Sequence, residues 1–173
     1  MNSEKRAIID DLAANFRNAM DIDIDKDKFD IEKTVLNIGG RVDYFDDIFC
    51  EEEVVKTEDD GFIIRIDKNR VEDRHRFSIA RELGHLFMHM QYGDTEWNRI
   101  EPGKYKRPPG MATVLEEEAN EFSAAFLMPA KRFIEVAKET SDDKFYYPIK
   151  IAEYFDTYKD AVIFRGKSLG LWE

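Results

Sequence analysis

One cysteine, Cys50, is all that the 173-residue chain contains, so no internal disulfide can support its fold. No apolar run reaches the roughly 18 residues that a membrane-spanning helix needs, and no charged segment followed by an apolar one has the form of a secretory signal. The expectation is a soluble protein in a reducing, cytoplasmic setting, with no membrane partner. Positive charge is also short: 26 Lys+Arg face 37 Asp+Glu, giving a net charge of -11. That excess opposes general attraction to DNA, RNA or anionic lipid. The one local basic stretch is residues 104–107. Internal repeats and low-complexity segments are absent.

A chain of this length can bury one real core. A single domain over 1–173 is expected, with an N-terminal helix and loop over about 1–30 and a C-terminal helical pair over about 140–173. Ile8, Ile9, Leu12, Phe16 and Met20 fall on one stripe at helical spacing, which predicts an amphipathic first helix. The following Asp21-x-Asp23-x-Asp25-x-Asp27 pattern with Glu32 has the outline of a calcium loop, but Lys26 stands where that loop requires glycine. It reads instead as a solvated loop opening a second helix over 31–38, which stops at Gly39-Gly40. Alternation in 41–45, 53–56 and 61–67 predicts three short strands in a small antiparallel sheet. Helical spacing returns over 77–89 and 116–128, the latter ended by Pro129, then over 131–138, 149–155 and 159–166. Residues 91–111 lack periodicity and read as a surface loop beside a cleft. The fold class is α+β.

The segment that carries chemistry is Arg76-Phe77-Ser78-Ile79-Ala80-Arg81-Glu82-Leu83-Gly84-His85-Leu86-Phe87-Met88-His89. On a helix, residues 81, 85 and 89 form a stripe with 82 beside it, while Ile79, Leu83 and Leu86 face a core. Two histidines four residues apart on a helix can share a tetrahedral zinc, with a glutamate after the first as general base for the metal-bound water. Glu82 and His85 stand where the base and second ligand belong. Arg81 holds the first ligand position, and its guanidinium cannot coordinate a cation. Gly84 costs roughly 1 kcal/mol of helix propensity, which points to close approach of another segment. Taken alone, His85 reads as a buried histidine with a hydrogen-bond partner.

Residues 76–85 resemble the Arg-Phe-Thr-x-Ala-His-Glu-Leu-Gly-His signature of the ImmA/IrrE family of metallopeptidases. Downstream, Glu116-Glu117-Glu118-Ala119-Asn120-Glu121-Phe122-Ser123-Ala124-Ala125-Phe126-Leu127-Met128-Pro129 is similar to that family's second motif, Glu-x-Glu-Ala-Asn-x-Phe-Ala-Ala-x-Leu-Leu-Met-Pro. Residues 151–155 and 161–171 resemble its closing helical pair. The resemblance implies a zincin-like domain, with a small sheet packed on a helical bundle and the site between the two motif helices. It implies Zn2+ as cofactor, Glu82 as catalytic base, His85 and Glu116 as metal ligands, and Asn120 as a supporting partner one turn on. Thr113-Val114-Leu115-Glu116 also reads as a capping box, in which Glu116 would serve the helix's first amides instead. Glu117, Glu118 and Glu121 read as solvated helix surface.

Arg81 leaves His85 and Glu116 as the remaining family ligands, one short of the three protein donors that a catalytic zinc takes. His89 is the substitute candidate, since it keeps the spacing but shifts the pair one turn from Glu82. Alternatively Arg81 takes the metal's place and pairs with Glu116, Glu82 or both. The resemblance implies a peptidase-like protein acting on a repressor or other regulatory protein of mobile elements and stress responses, catalytically impaired by Arg81. The alternative is a pseudopeptidase that sequesters a basic DNA-binding repressor without cleaving it. The closing pair has a helix-turn-helix outline, but the acidic chain argues against direct nucleic-acid contact.

Overall fold

The computed structural model describes residues 1–23, 29–47, 49–105, 108–142 and 145–172. The calcium-like stretch around Lys26 and the basic residues Lys106 and Arg107 therefore lie outside the described residues. The elements are α1 (Ser3–Ala19), α2 (Ile31–Asn37), β1 (Gly40–Phe45), β2 (Glu53–Lys56), β3 (Phe62–Asp67), α3 (Glu72–Gly84), β4 (Gly103–Lys104), α4 (Ala112–Leu127), α5 (Ala130–Thr140), α6 (Pro148–Phe155) and α7 (Lys159–Ser168). The class is α+β, as expected. Among the described residues, no helix is long and apolar enough to cross a membrane. The chain forms two compact units, Asp30–Asn120 and Met1–Phe29 with Glu121–Glu173.

In the unit Asp30–Asn120, Asp30 caps α2 by accepting the Lys33 N–H at 3.1 Å. The helix stops where Gly39 takes φ +90°, a conformation that side chains disfavour. Gly40 lies opposite Phe62, and a Cβ on it would come within 2.3 Å of the Phe62 ring. Bare backbone is what lets that ring lie across β1.

The sheet order is β1-β3-β2-β4. β2 and β3 form an antiparallel hairpin closed by the Thr57 N–H on the Gly61 carbonyl at 3.0 Å, but β1 runs parallel to β3. The expected antiparallel sheet is thus corrected to a mixed one. Alternation fixes which face of a strand is buried and leaves strand order open. Here β3 turns back into the gap between β1 and β2, so an up-down-up path puts the two strands of like direction side by side. Phe62, Ile64 and Ile66 of β3 are buried, alternating with half-buried Ile63, Arg65 and Asp67. Helix α3 packs across β3 and buries Phe77, Ile79, Ala80 and Leu83, with Leu86 just beyond its end.

The stretch 91–111 is more ordered than an aperiodic loop. Trp97 is buried in a short 3-10 turn, Trp97–Arg99, and β4 adds to the free edge of β2. The agent is Lys56, itself buried, which donates Nζ to the carbonyls of Trp97 (2.7 Å) and Ile100 (2.9 Å) and lies 4.8 Å from the indole centre. Order imposed by a distant side chain leaves no periodicity to read.

In the second unit α1 buries Ile9, Ala13 and Arg17, while Ile8 is 62% exposed. The apolar stripe is rotated because Arg17 donates to the carbonyls of Ala125 (2.7 Å) and Phe126 (3.1 Å) at the end of α4. Burial and the neighbouring Arg165 lower the Arg17 pKa to about 10. Helices α6 and α7 pack as the expected pair, with Asp156 in the left-handed conformation, φ 54°, ending α6. Arg165 of α7 is fully buried and bonds the Met128 carbonyl (3.0 Å), Glu121 (3.2 Å) and Asp10 (2.5 Å). Glu121 is therefore an interior ion-pair residue and not the solvated one expected.

Candidate active site

The site residues all belong to the unit Asp30–Asn120. Arg81 and Glu82 lie in the last turn of α3, after which the backbone widens into a π turn over His85–His89. An unbroken α-helix would stack residues 81, 85 and 89, whereas a π turn adds a residue to the turn and rotates the side chains beyond it. His89 consequently meets His85 through Nδ1 on both rings, 2.8 Å apart, so one ring donates and the other accepts. The other nitrogen of His89 lies 3.4 Å from Glu118 Oε2. Burial, reinforced by His85 and opposed by Glu118, lowers the His89 pKa to about 4, which keeps the ring neutral near pH 7.

Helix α4 begins at Ala112, so Thr113 is inside it and cannot be its N-cap. This corrects the capping-box reading. Glu116 sits in the second turn and faces His85, with Oε1 3.2 Å from Nε2. Glu118 is buried beside His89 and not solvated, whereas Glu117 is exposed as expected. Asn120 follows Glu116 by one turn and is half-buried.

Arg81 bonds two carboxylates and lies near a third. Its Nη2 donates to Glu52 Oε2 (2.8 Å) and Glu82 Oε1 (2.9 Å), and Nε donates to Glu82 Oε1 at 3.2 Å. Glu116 Oε2 is 3.9 Å from Nε. Burial by itself would weaken the guanidinium's hold on its proton, but attraction from Glu82, Glu52 and Glu116 outweighs this and raises its pKa. Glu82 is 1% exposed, and burial pushes its carboxyl above the usual range against the pull of Arg81 and His85.

Sequence reasoning does not mark Glu52, which lies in the connection between β1 and β2. The residue is buried, accepts the Ser78 hydroxyl at 2.9 Å through Oε2, and presents Oε1 to Arg70 Nε at 2.9 Å. The available signal is indirect: an arginine among motif carboxylates needs partners, and the connection before β2 is rich in them.

A cleft of about 300 Å³ opens here, lined by Cys50, Glu51 and Glu52, by Asp67 at the end of β3, and by Arg70, Arg81 and Glu116. Glu82 and His85, both buried, touch the lining residues Arg81 and Glu116 and are not part of it.

The family model for the IrrE N-terminal-like domain, peptidase family M78, matches residues 14–166. The chain belongs to this family. No curated protein matches the chain. Membership agrees with the ImmA/IrrE resemblance and with a zincin-like α+β fold, and it makes the protein metallopeptidase-like.

M78 peptidases are in general zinc-dependent, and a catalytic zinc takes three converging protein donors plus an open position. Among the described residues of this M78 domain, no group of three or more His, Cys, Asp or Glu side chains converges in that way. His85 Nε2 is buried, makes no hydrogen bond of its own, and faces Glu116 Oε1, which is two donors. The side chain beside them is Arg81, 3.9 Å from Glu116 Oε2, and a guanidinium coordinates no cation. His89 offers its Nδ1 to the opposite nitrogen of His85, so it does not complete the set. The residues present do not fit zinc.

Proposed function

We propose that this M78 domain is a protein-binding member of its family with impaired peptidase chemistry, and that its partner is a basic DNA-binding repressor. The observation that carries this reading is Arg81, held by Glu82 and Glu52 at the first-ligand position. Its guanidinium has no lone pair to give a metal. It also engages Glu82, the residue at the base position, which is buried with Arg81 bonded to its Oε1. Hydrolysis thus lacks a ligand and a free base together.

A folded cleft and an acidic chain remain. A peptidase-like domain implies a protein substrate or partner in general. The net charge of -11 favours a basic one and makes encounter sensitive to ionic strength.

Mixing the purified protein with basic repressors and following both complex formation and cleavage tests the reading. The expected result is a stable complex whose association slows as salt is raised, with the repressor intact. Chelator-sensitive cleavage of the bound repressor would instead make the protein a working peptidase.

A further inference from the structure

The charge that fills the site comes from one family motif, but the residue that fixes it in place comes from neither. We infer that Arg81 and Glu52 act as a paired replacement for the metal: the guanidinium supplies the positive charge that the surrounding carboxylates require, and Glu52 clamps it there, closing the site to divalent ions. This deepens the impaired-peptidase reading, rests on it through Arg81 alone, and makes no use of the partner.

Carboxylates taken out of water need a cation close by. Glu82 and Glu52 are 1% and 2% exposed, and Glu116 is close to both Arg81 and His85. A dication would satisfy such a group in a metal centre. Here the forked donors of Arg81 do it, with Nη2 bridging Glu52 and Glu82 and Nε adding a second bond to Glu82. Planar, fixed donor geometry makes this bridge available to arginine and not to lysine.

Glu52 decides whether Arg81 can swing away. One of its oxygens takes Arg81 and the Ser78 hydroxyl, and the other faces Arg70. The end of the 46–52 connection is therefore tied at three places, just before α3, within it and in its last turn. A metal entering the site would have to displace a guanidinium held by three charge-assisted bonds, and would gain only His85 and Glu116. Removing Arg81 has unequal consequences: Glu52 keeps Arg70 and Ser78, whereas Glu82 loses its only hydrogen-bonded cation among the described contacts.

Zinc content, zinc affinity and thermal midpoint, with zinc or with chelator, test the inference on the native protein and on Arg81→His, Arg81→Met, Glu52→Gln and the Glu52→Gln/Arg81→Met double variant. The native protein should hold far less than one equivalent of zinc, and its midpoint should not move with metal or chelator. Arg81→Met should lower the midpoint by on the order of 10 °C without recovery in zinc. Arg81→His should be lowered without metal, recover with zinc, and bind it at least about 100-fold more tightly than the native protein, since losing even a supporting group at a metal site costs up to that factor. Glu52→Gln should lower the midpoint of the native protein more than that of the Arg81→Met background. Stoichiometric zinc in the native protein overturns the inference, as does an Arg81→His variant that folds and gains no zinc affinity. Additive effects of the Glu52 and Arg81 substitutions overturn the part given to Glu52. Repressor binding, measured on the same samples, keeps the two readings apart. A zinc-free protein that binds no repressor sinks only the binding reading, and a zinc-loaded one that binds repressor and leaves it intact sinks only this inference.

Discussion

Arg81 and lysine would carry the same charge, so the geometry at Glu52 and Glu82 separates what the charge does from what the fork does. An ammonium is a single compact donor centre and cannot repeat a bridge in which Nη2 meets Glu52 and Glu82 while Nε meets Glu82 again. Arg81→Lys should therefore lose about 1–2 kcal/mol of folding free energy, clearly less than Arg81→Met, because a nearby cation still offsets the cost of burying Glu82. Chemical denaturation of the two variants checks the order, and equal losses would mean that charge at this position contributes nothing. Arg81, Glu82 and His85 are legible in the sequence because helical spacing sets them on one surface, and Glu116 enters through the family resemblance of the second motif. Glu52 is not legible, since it joins Arg81 from 29 residues away on an irregular connection with no period. The fate of His89 is equally hidden, because even helical spacing has no mark for a turn that widens to π geometry.

At the level of elements, alternation locates the three main strands and their buried faces, since a strand's two faces are set by its own residues. Strand order depends on how the chain returns, and the insertion of β3 between β1 and β2 is fixed by no local signal. The segment after the π turn illustrates a third case, order conferred from outside. Lys56 of β2 supplies bonds to the Trp97 and Ile100 carbonyls, an ion pair with Asp60 at 3.1 Å, and a charge against the indole. Lys56→Met keeps most of the side-chain volume and removes all of these, leaving the Trp97 carbonyl with the Ile100 N–H alone and the Ile100 carbonyl without the Lys56 donor. The loss should be about 2–3 kcal/mol. Amide exchange should accelerate first over residues 97–105, where β4 depends on that anchor. Acceleration spread evenly over the sheet would show that Lys56 supports the sheet as a whole and not this segment.

For the molecule as a whole, an excess of acid does not mean that its basic residues are surface decoration. In the unit formed by Met1–Phe29 and Glu121–Glu173, segments far apart in sequence are joined by one fully buried cation. Arg165 bonds Asp10 of α1, Glu121 of α4 and the Met128 carbonyl just after α4, and Glu121 also receives the Ser168 hydroxyl and lies 3.7 Å from Arg6. Such a hub gains little when compared with a well-packed apolar interior, but removing one member strands the others. Arg165→Met should consequently cost about 3–5 kcal/mol, because Glu121 is buried and keeps only the more exposed Arg6, at 3.7 Å, as a cation among the described contacts. Asp10→Asn should cost nearer to about 1 kcal/mol, since Asp10 is 28% exposed and water can replace part of what it loses. Adding Glu121→Gln to Arg165→Met discriminates the cause. Removing the stranded charge should recover a substantial part of the loss, as read by denaturant midpoint and by the fluorescence of Trp172, whose ring packs against Gly166 next to the hub. If the double variant is no more stable than Arg165→Met alone, the loss belongs to packing around the arginine stem and not to an unpaired carboxylate.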